Sequence, residues 1–334
     1  MAQSAANATR TFIADLQPNE RFEGHFALAN AQLAVTKNGD PYLQCLLGDK
    51  TGQVPARRWK MPPELFKRLP TDGFVFAEGR TQPYQGELQL ILDNIEPFDP
   101  TDEQLIDLLP TSTRPIDEMF EEVRQLLGTI EHPALRALAE IYLEDEQLMS
   151  AFRHAPAAKM HHHAYIGGLL EHTLAVMNLA NAICPLYPRI SRDTVMFGLF
   201  LHDLGKTREL SWHGAFSYTD RGELVGHIVE GAIMLHDKAQ QLMTSKGVRL
   251  PKHALSALQH IVLSHHGLPE FGAARVPASP EAILVNLIDN IDAKTTIALT
   301  AARPERERPF DLGGNFTERQ WALGTKIFRP DPLA

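Results

Sequence analysis

Hydrophobic and polar positions follow two different periods along this chain, and the change falls near residue 100. From about residue 10 to 98 the apolar residues come in short runs broken by turn residues, the pattern of β-strands. Residues 21–36 form a long strand-compatible run, closed by the turn sequence Lys37-Asn38-Gly39-Asp40-Pro41. Residues 42–47 form a second, ended by Asp49-Lys50-Thr51-Gly52. Residues 53–59 read as a third, and Pro55 predicts an edge position because proline has no N–H to give to a ladder. A short helix is predicted over 62–69 and a fourth strand over 74–80, with Phe76 expected in the core, its alternative being a ring for stacking a base. In the fifth, Leu88, Leu90 and Leu92 alternate with Gln89, Ile91 and Asp93, which predicts one buried and one solvated face. Five strands with a small helix before the fourth predict an OB-type β-barrel.

Residues 1–9 are small and polar and are expected to form a flexible tail. Residues 99–115 hold Pro100, Pro110 and Pro115 among Thr and Asp, a linker by composition. Beyond it the period becomes helical, with Met119, Phe120, Val123, Leu126 and Leu127 three or four apart. Helices are predicted over about 116–130, 134–143, 146–152, 165–183, 192–204, 222–243, 252–266 and 280–300. Ser191 and Ser279-Pro280-Glu281 are helix starts and Gly267 a stop. The tail from Arg303 is expected to wrap irregularly on the surface. The expectation is an α+β multidomain chain: a barrel over 10–98 and an all-α domain over 116–334, in keeping with 334 residues.

Charge and cysteine content narrow the partners. Against 41 Asp and Glu stand 32 Lys and Arg, a formal net charge of −9, which argues against coating nucleic acid by bulk charge. Two cysteines, Cys45 and Cys184, are too few for a disulfide framework or a cysteine zinc site, and both are expected as buried thiols. The longest apolar run, residues 195–201, is far short of a membrane span, so no membrane partner is expected and the cytoplasm is the default location.

The informative count is histidine. Of 15, only His25 and His132 precede residue 150. His172, His202-Asp203, His227, His265-His266 and Asp289 each lie inside or at the end of an apolar helical pattern. Burying that many imidazoles and carboxylates is costly without a shared partner, and a divalent cation is the simplest one. Neutral imidazole and ionised carboxylate suit Mn, Fe, Ni or Zn alike.

The succession His…His-Asp…His…His-His…Asp over 155–295 resembles the HD-domain metal-dependent phosphohydrolases, whose His-Asp-[Leu/Ile]-Gly-Lys phrase stands here as His202-Asp203-Leu204-Gly205-Lys206. With residues 162–173 (HHAYIGGLLEHT) and the preceding barrel, the chain resembles the YhaM-type 3′–5′ exoribonucleases over nearly its whole length. By that resemblance His172, His202, Asp203 and Asp289 hold one metal, and Asp203 bridges to a second held by His227, His265 and His266. Asp292, one turn beyond Asp289, competes for its place. The implied cofactor is a pair of divalent ions, Mn²⁺ favoured, with Fe, Ni, Co, Mg or Zn open. Asp203 and Lys206 are the implied catalytic residues. Lys206 either contacts phosphate or sits at a helix C-terminus answering the dipole. Glu171 either orients a ligand or lies on a solvated face. His162 and His163 are substrate-phosphate candidates, with exposed loop residues as the alternative.

In the first domain Arg57-Arg58-Trp59-Lys60 is the most basic stretch. Single-stranded nucleic acid needs cations for phosphates and rings for bases, and Trp59, Tyr42 and Tyr84 supply rings. The implied activity is metal-dependent 3′–5′ hydrolysis of single-stranded RNA, with single-stranded DNA and the oligomeric state open. One alternative is an HD phosphohydrolase of a small or cyclic nucleotide. Gly267-Leu268-Pro269 after His265-His266 lacks the Gly-Tyr-Pro signature of the cyclic-dinucleotide branch. Another is a non-catalytic nucleic-acid-binding protein with a helical scaffold.

Overall fold

The computed structural model describes residues 11–36, 38–70, 73–84, 87–101, 104, 107–158, 164–212, 216–303 and 314–333. The candidates His162 and His163 lie outside the described residues. The chain divides into two compact units, the first made mainly of residues up to Thr111 and the second beginning at Ser112.

The first unit is a closed barrel of β1 (Arg21–Val35), β2 (Pro41–Asp49), β3 (Gly52–Trp59), β4 (Gly73–Tyr84) and β5 (Glu87–Phe98), in the order β1-β2-β3-β5-β4. A short helix, α1 (Pro63–Phe66), precedes β4. The length of β1 lets it serve two partners: its first half pairs β4 and its second half pairs β2. The β1–β2 register shifts between Ala29 and Gln32, where Asn30 takes a φ of 54°. Such a bulge bends the strand from one partner to the other, and asparagine tolerates the left-handed region. Phe26, Leu28, Leu43, Leu47, Val75 and Leu90 fill the interior.

Three sequence expectations change here. Pro55 does not make β3 an edge: β3 pairs β2 along its length and closes the barrel on β5 through Ala56↔Leu90 and Arg57↔Ile91. That parallel pairing begins just after the proline, which has no N–H to contribute. β5 is buried on both faces over its first half, Gln89 and Ile91 along with the leucines, and of the predicted solvated face Asp93 alone is exposed. The Gln89 amide is satisfied by donating to Gln82 Oε1 at 3.2 Å. Phe76 is not core; Val75 and Ala77 point inward, and Phe76 lies half-buried with its ring edge-on to His25. In the stretch expected as a linker, Leu108 and Leu109 are buried, and Asp107 pairs with Lys50 Nζ at 2.5 Å.

The second unit is helical: α2 (Ile116–Gly128), α3 (Pro133–Leu143), α4 (Glu146–His154), α5 (Gly168–Ile183), α6 (Arg192–Leu201), α7 (Lys206–Glu209), α8 (Asp220–Lys246), α9 (Ala254–Ser264) and α10 (Pro280–Ala302). Its continuous apolar run is explained by α6, where every residue from Val195 to Leu201 is buried. A helix apolar all round sits inside a bundle. Tyr142, Phe152, Phe197 and Phe200 pack about it, mostly edge-on at centroid separations of 5.7–6.0 Å. Ser191, Thr219 and Ser279 cap α6, α8 and α10 with side-chain oxygens. In the described part of the tail, Phe316↔Phe328 and Gln320↔Thr325 bridge across a turn that carries Trp321. Both cysteines are free and buried, and burial pushes the Cys45 thiol up to about 12. Among the described residues no helix is long and apolar enough to cross a membrane.

Candidate metal centre

Five helices of the second unit deliver the histidine and aspartate side chains to one place. His172 comes from the first turns of α5, and His202-Asp203 from the end of α6. His227 comes from α8, His265-His266 from the end of α9, and Asp289 from α10. His172, His202, Asp203 and His265 are almost fully buried.

What each ring nitrogen faces settles what it can do. His202 Nδ1 lies 2.6 Å from Leu199 O, His265 Nδ1 2.7 Å from Val262 O, and His266 Nδ1 2.7 Å from Phe271 O. His227 Nδ1 lies 2.9 Å from Glu209 Oε1, and His172 Nδ1 2.7 Å from Asp292 Oδ2. Carbonyl and carboxylate oxygens only accept, so each Nδ1 carries the hydrogen, and each ring, when neutral, offers its Nε2 lone pair. Asp203 stands between two sets of these. Its Oδ1 faces His227 Nε2 at 3.5 Å and His265 Nε2 at 3.4 Å. Its Oδ2 faces His202 Nε2 at 3.4 Å and His172 Nε2 at 3.7 Å. Asp289 Oδ1 joins the second set, 3.3 Å from His172 Nε2 and 3.9 Å from His202 Nε2.

Donor atoms sharing one ion at about 2.1 Å are roughly 3 to 3.5 Å apart; four of the six separations match at 3.3–3.5 Å, and His172–Asp203 at 3.7 Å and His202–Asp289 at 3.9 Å are longer. Asp203 Oδ1, His227 Nε2 and His265 Nε2 are buried without any hydrogen-bond partner. Buried polar atoms left unpaired are costly, and here they point at one another. The donor set fits a divalent cation: Asp203, His227, His265 and His266 could hold one, and His172, His202 and Asp203 form a second cluster.

The electrostatics agree. Burial pulls His172 down, yet its hydrogen bonds to Asp289 and Asp292 outweigh it and hold the imidazole at about 10. Burial holds His202 down to about 4, and burial with the neighbouring His265 and His227 does the same for His266. Burial opposes charge on Asp203, but Lys206 and the surrounding imidazoles keep its carboxyl well below the usual range. Asp289 is lowered likewise, burial being outweighed by His172 and His202.

The remaining candidates divide. Lys206 is not at a helix C-terminus; it opens α7, and its Nζ donates to Asp203 Oδ2 at 2.6 Å, inside the site. Asp292 lies on the Nδ1 side of His172, away from the Nε2 face that Asp289 shares. Glu171 accepts from Ser112 Oγ at 2.6 Å and Tyr165 OH at 3.0 Å, so it ties down the chain before α5. Glu209 carried no signal in the sequence pattern. The only hint was chemical: a histidine ligand needs an acceptor on its other nitrogen, and a glutamate stands six residues after the doublet.

In the barrel Tyr42 and Trp59 are register partners, with ring centroids 5.1 Å apart, and Trp59 is 45% exposed. The Arg57 guanidinium lies 5.3 Å from the centre of the exposed Tyr84 ring. Strand alternation splits the basic run. Arg58 pairs across from the fully buried Leu43 and reaches Met61 Sδ at 3.8 Å, away from Arg57 and Trp59. Lys60 is exposed beyond the strand, at a φ of 54°.

The HD domain family matches residues 169–294. The 3′-5′ exoribonuclease YhaM of Shouchella clausii is 34% identical over 310 residues, covering 92% of this chain and 93% of that protein. Those of Halalkalibacterium halodurans and Bacillus subtilis are each 32% identical, covering 93% and 92% of this chain and 93% and 94% of theirs. With its barrel, its helical HD domain and this extent of similarity, the chain belongs to the YhaM family of HD-domain phosphohydrolases.

Proposed function

We propose that this protein is a divalent-cation-dependent 3′–5′ exoribonuclease acting on single-stranded RNA in the cytoplasm. The observation that carries the reading is Asp203, whose two oxygens face two groups of Nε2 atoms with no other partner for Oδ1. On this reading His172, His202, Asp203 and Asp289 hold one ion, and Asp203, His227, His265 and His266 hold a second. Mn²⁺ is the favoured ion on the family resemblance; the imidazole and carboxylate ligands by themselves suit Mn, Fe, Ni or Zn alike. When bound, such a pair lowers the pKa of an attacking water and neutralises charge on the phosphate and the leaving 3′-oxygen.

The chain's own residues do the rest. Five backed Nδ1–H groups lock the five rings with Nε2 directed inward. Lys206, buried beside Asp203, offers a fixed positive charge within reach of a phosphate oxygen. In the barrel, Trp59, Tyr42 and Tyr84 stack bases and Arg57 meets phosphates, with Arg58 and Lys60 at the margins. The division of labour is a strand-holding barrel over 10–98 and a hydrolytic domain over 116–334.

A chelate-and-restore assay on 3′- and 5′-labelled single-stranded RNA tests this. The expected result is mononucleotide release from the 3′ end, abolished by chelator and restored by Mn²⁺. Intact RNA with every divalent ion tried refutes it.

A further inference from the structure

The helix α8 is interrupted one residue before a proposed ligand. Gly226 takes φ 73° and ψ 156°, far from helical values, and the helix restarts at His227. A restarting helix leaves its first N–H without an internal partner. Here Glu209 Oε1 accepts the His227 backbone N–H at 2.9 Å, and the same oxygen accepts His227 Nδ1–H, also at 2.9 Å. Both side chains are largely buried. Glu209 is itself fixed: its carbonyl accepts the Thr219 N–H at 2.9 Å, and Gly222 packs so closely on it that a Cβ there would lie 2.3 Å from the Glu209 oxygen.

The other rings on this side, His265 and His266, are backed by main-chain carbonyls of Val262 and Phe271. His227 is backed by a side chain. We propose that Glu209 is a positioning residue: it clamps the helix restart and the His227 ring together, so that Nε2 is aimed at Asp203 Oδ1. The inference rests on the two-cation reading, and it makes Glu209 responsible for one ion and not the other. The half containing His172, His202 and Asp289 has no contact with Glu209 among those described.

The test is a Mn²⁺ titration of the full chain, with free Mn²⁺ followed by electron paramagnetic resonance. Wild type is expected to take two ions. Glu209→Ala is expected to keep the first step within about twofold and to weaken the second by about 10- to 100-fold, the usual loss when a ligand's outer partner is removed. Glu209→Gln keeps an oxygen acceptor for both N–H groups and is expected to recover most of that loss. Both steps unchanged in Glu209→Ala overturns the proposal. So does an equal loss of both steps together with a lower melting temperature, which would make Glu209 merely structural. Fewer than two ions in the wild type itself overturns the two-cation reading, and this inference with it.

Discussion

Replacing Gly205 by alanine probes how closely the His-Asp-Leu-Gly-Lys turn presses on the helix that carries His227. A Cβ at Gly205 would lie 2.0 Å from the His227 carbonyl oxygen, 2.8 Å from its carbon and 2.9 Å from the Gly231 nitrogen. Ordinary contact begins near 3.4 Å, so the two segments must part by about 1.4 Å. Every atom in the way is backbone, so no rotamer change relieves the clash. Overpacking of this kind costs about 1–3 kcal/mol. In a domain of this size each kcal/mol is about 2–4 °C of melting temperature, which predicts a fall of roughly 2–12 °C. A metal site tolerates ligand displacements of only about 0.2 Å, so the His227 half of the centre should also lose its ion. The measurements are cation-free thermal melts by circular dichroism and bound Mn²⁺ per chain. Gly128→Ala is the control: it ends α2, a Cβ there meets nothing within 4 Å, and its melting temperature should hold or rise slightly. Gly205→Ala melting within about 1 °C of wild type and binding the same number of ions would refute the steric argument.

Asp203→Ala should lower RNA hydrolysis by more than about a hundredfold while leaving RNA affinity intact, because Asp203 touches both proposed ion positions; full retained activity would break the assignment. Trp59→Ala should weaken single-stranded RNA binding by about 1–3 kcal/mol and spare turnover of a short chromogenic diester, measured by fluorescence titration and steady-state rates. His172 is held at about 10 in the cation-free protein, above the ordinary 6.5, so its extra proton is bound at neutral pH and lost only as pH rises through about 10. The stability this proton confers is therefore full below pH 6.5 and gone above about 10, and a cation must displace it. Cation affinity at this half should rise about tenfold per pH unit toward 10, with one proton released, as read by calorimetry in buffers of different ionisation heat; a flat profile would refute it.

Much of the architecture was legible because it is local. The shift from short broken runs to a three-to-four spacing separates barrel from helices, since each period reports which face of an element is covered. β5 misled because periodicity assumes one solvated face, whereas Gln89 and Ile91 are buried as well. Phe76 differs for the converse reason: hydrophobicity alone predicts a core position, but Val75 and Ala77 face inward and strand parity puts Phe76 on the other face. The histidines could be singled out because burying so many imidazoles demands a common partner, an argument that needs no coordinates.

The sequence by itself determined the two kinds of domain, the helical pattern around each histidine and, through the His-Asp-Leu-Gly-Lys phrase, the family. Tertiary structure alone decided which atom faces which. Asp289 and Asp292 differ by one helical turn, and only the placement of α10 against α5, with Asp292 120 residues from His172, puts one on Nε2 and the other on Nδ1 of His172. Only the break at Gly226 brings His227 back onto Glu209, and only the closing of the barrel makes β3, Pro55 included, an inner strand between β2 and β5. Local spacing specifies the face a residue occupies; the partner on that face depends on distant segments packing together, which periodicity does not encode.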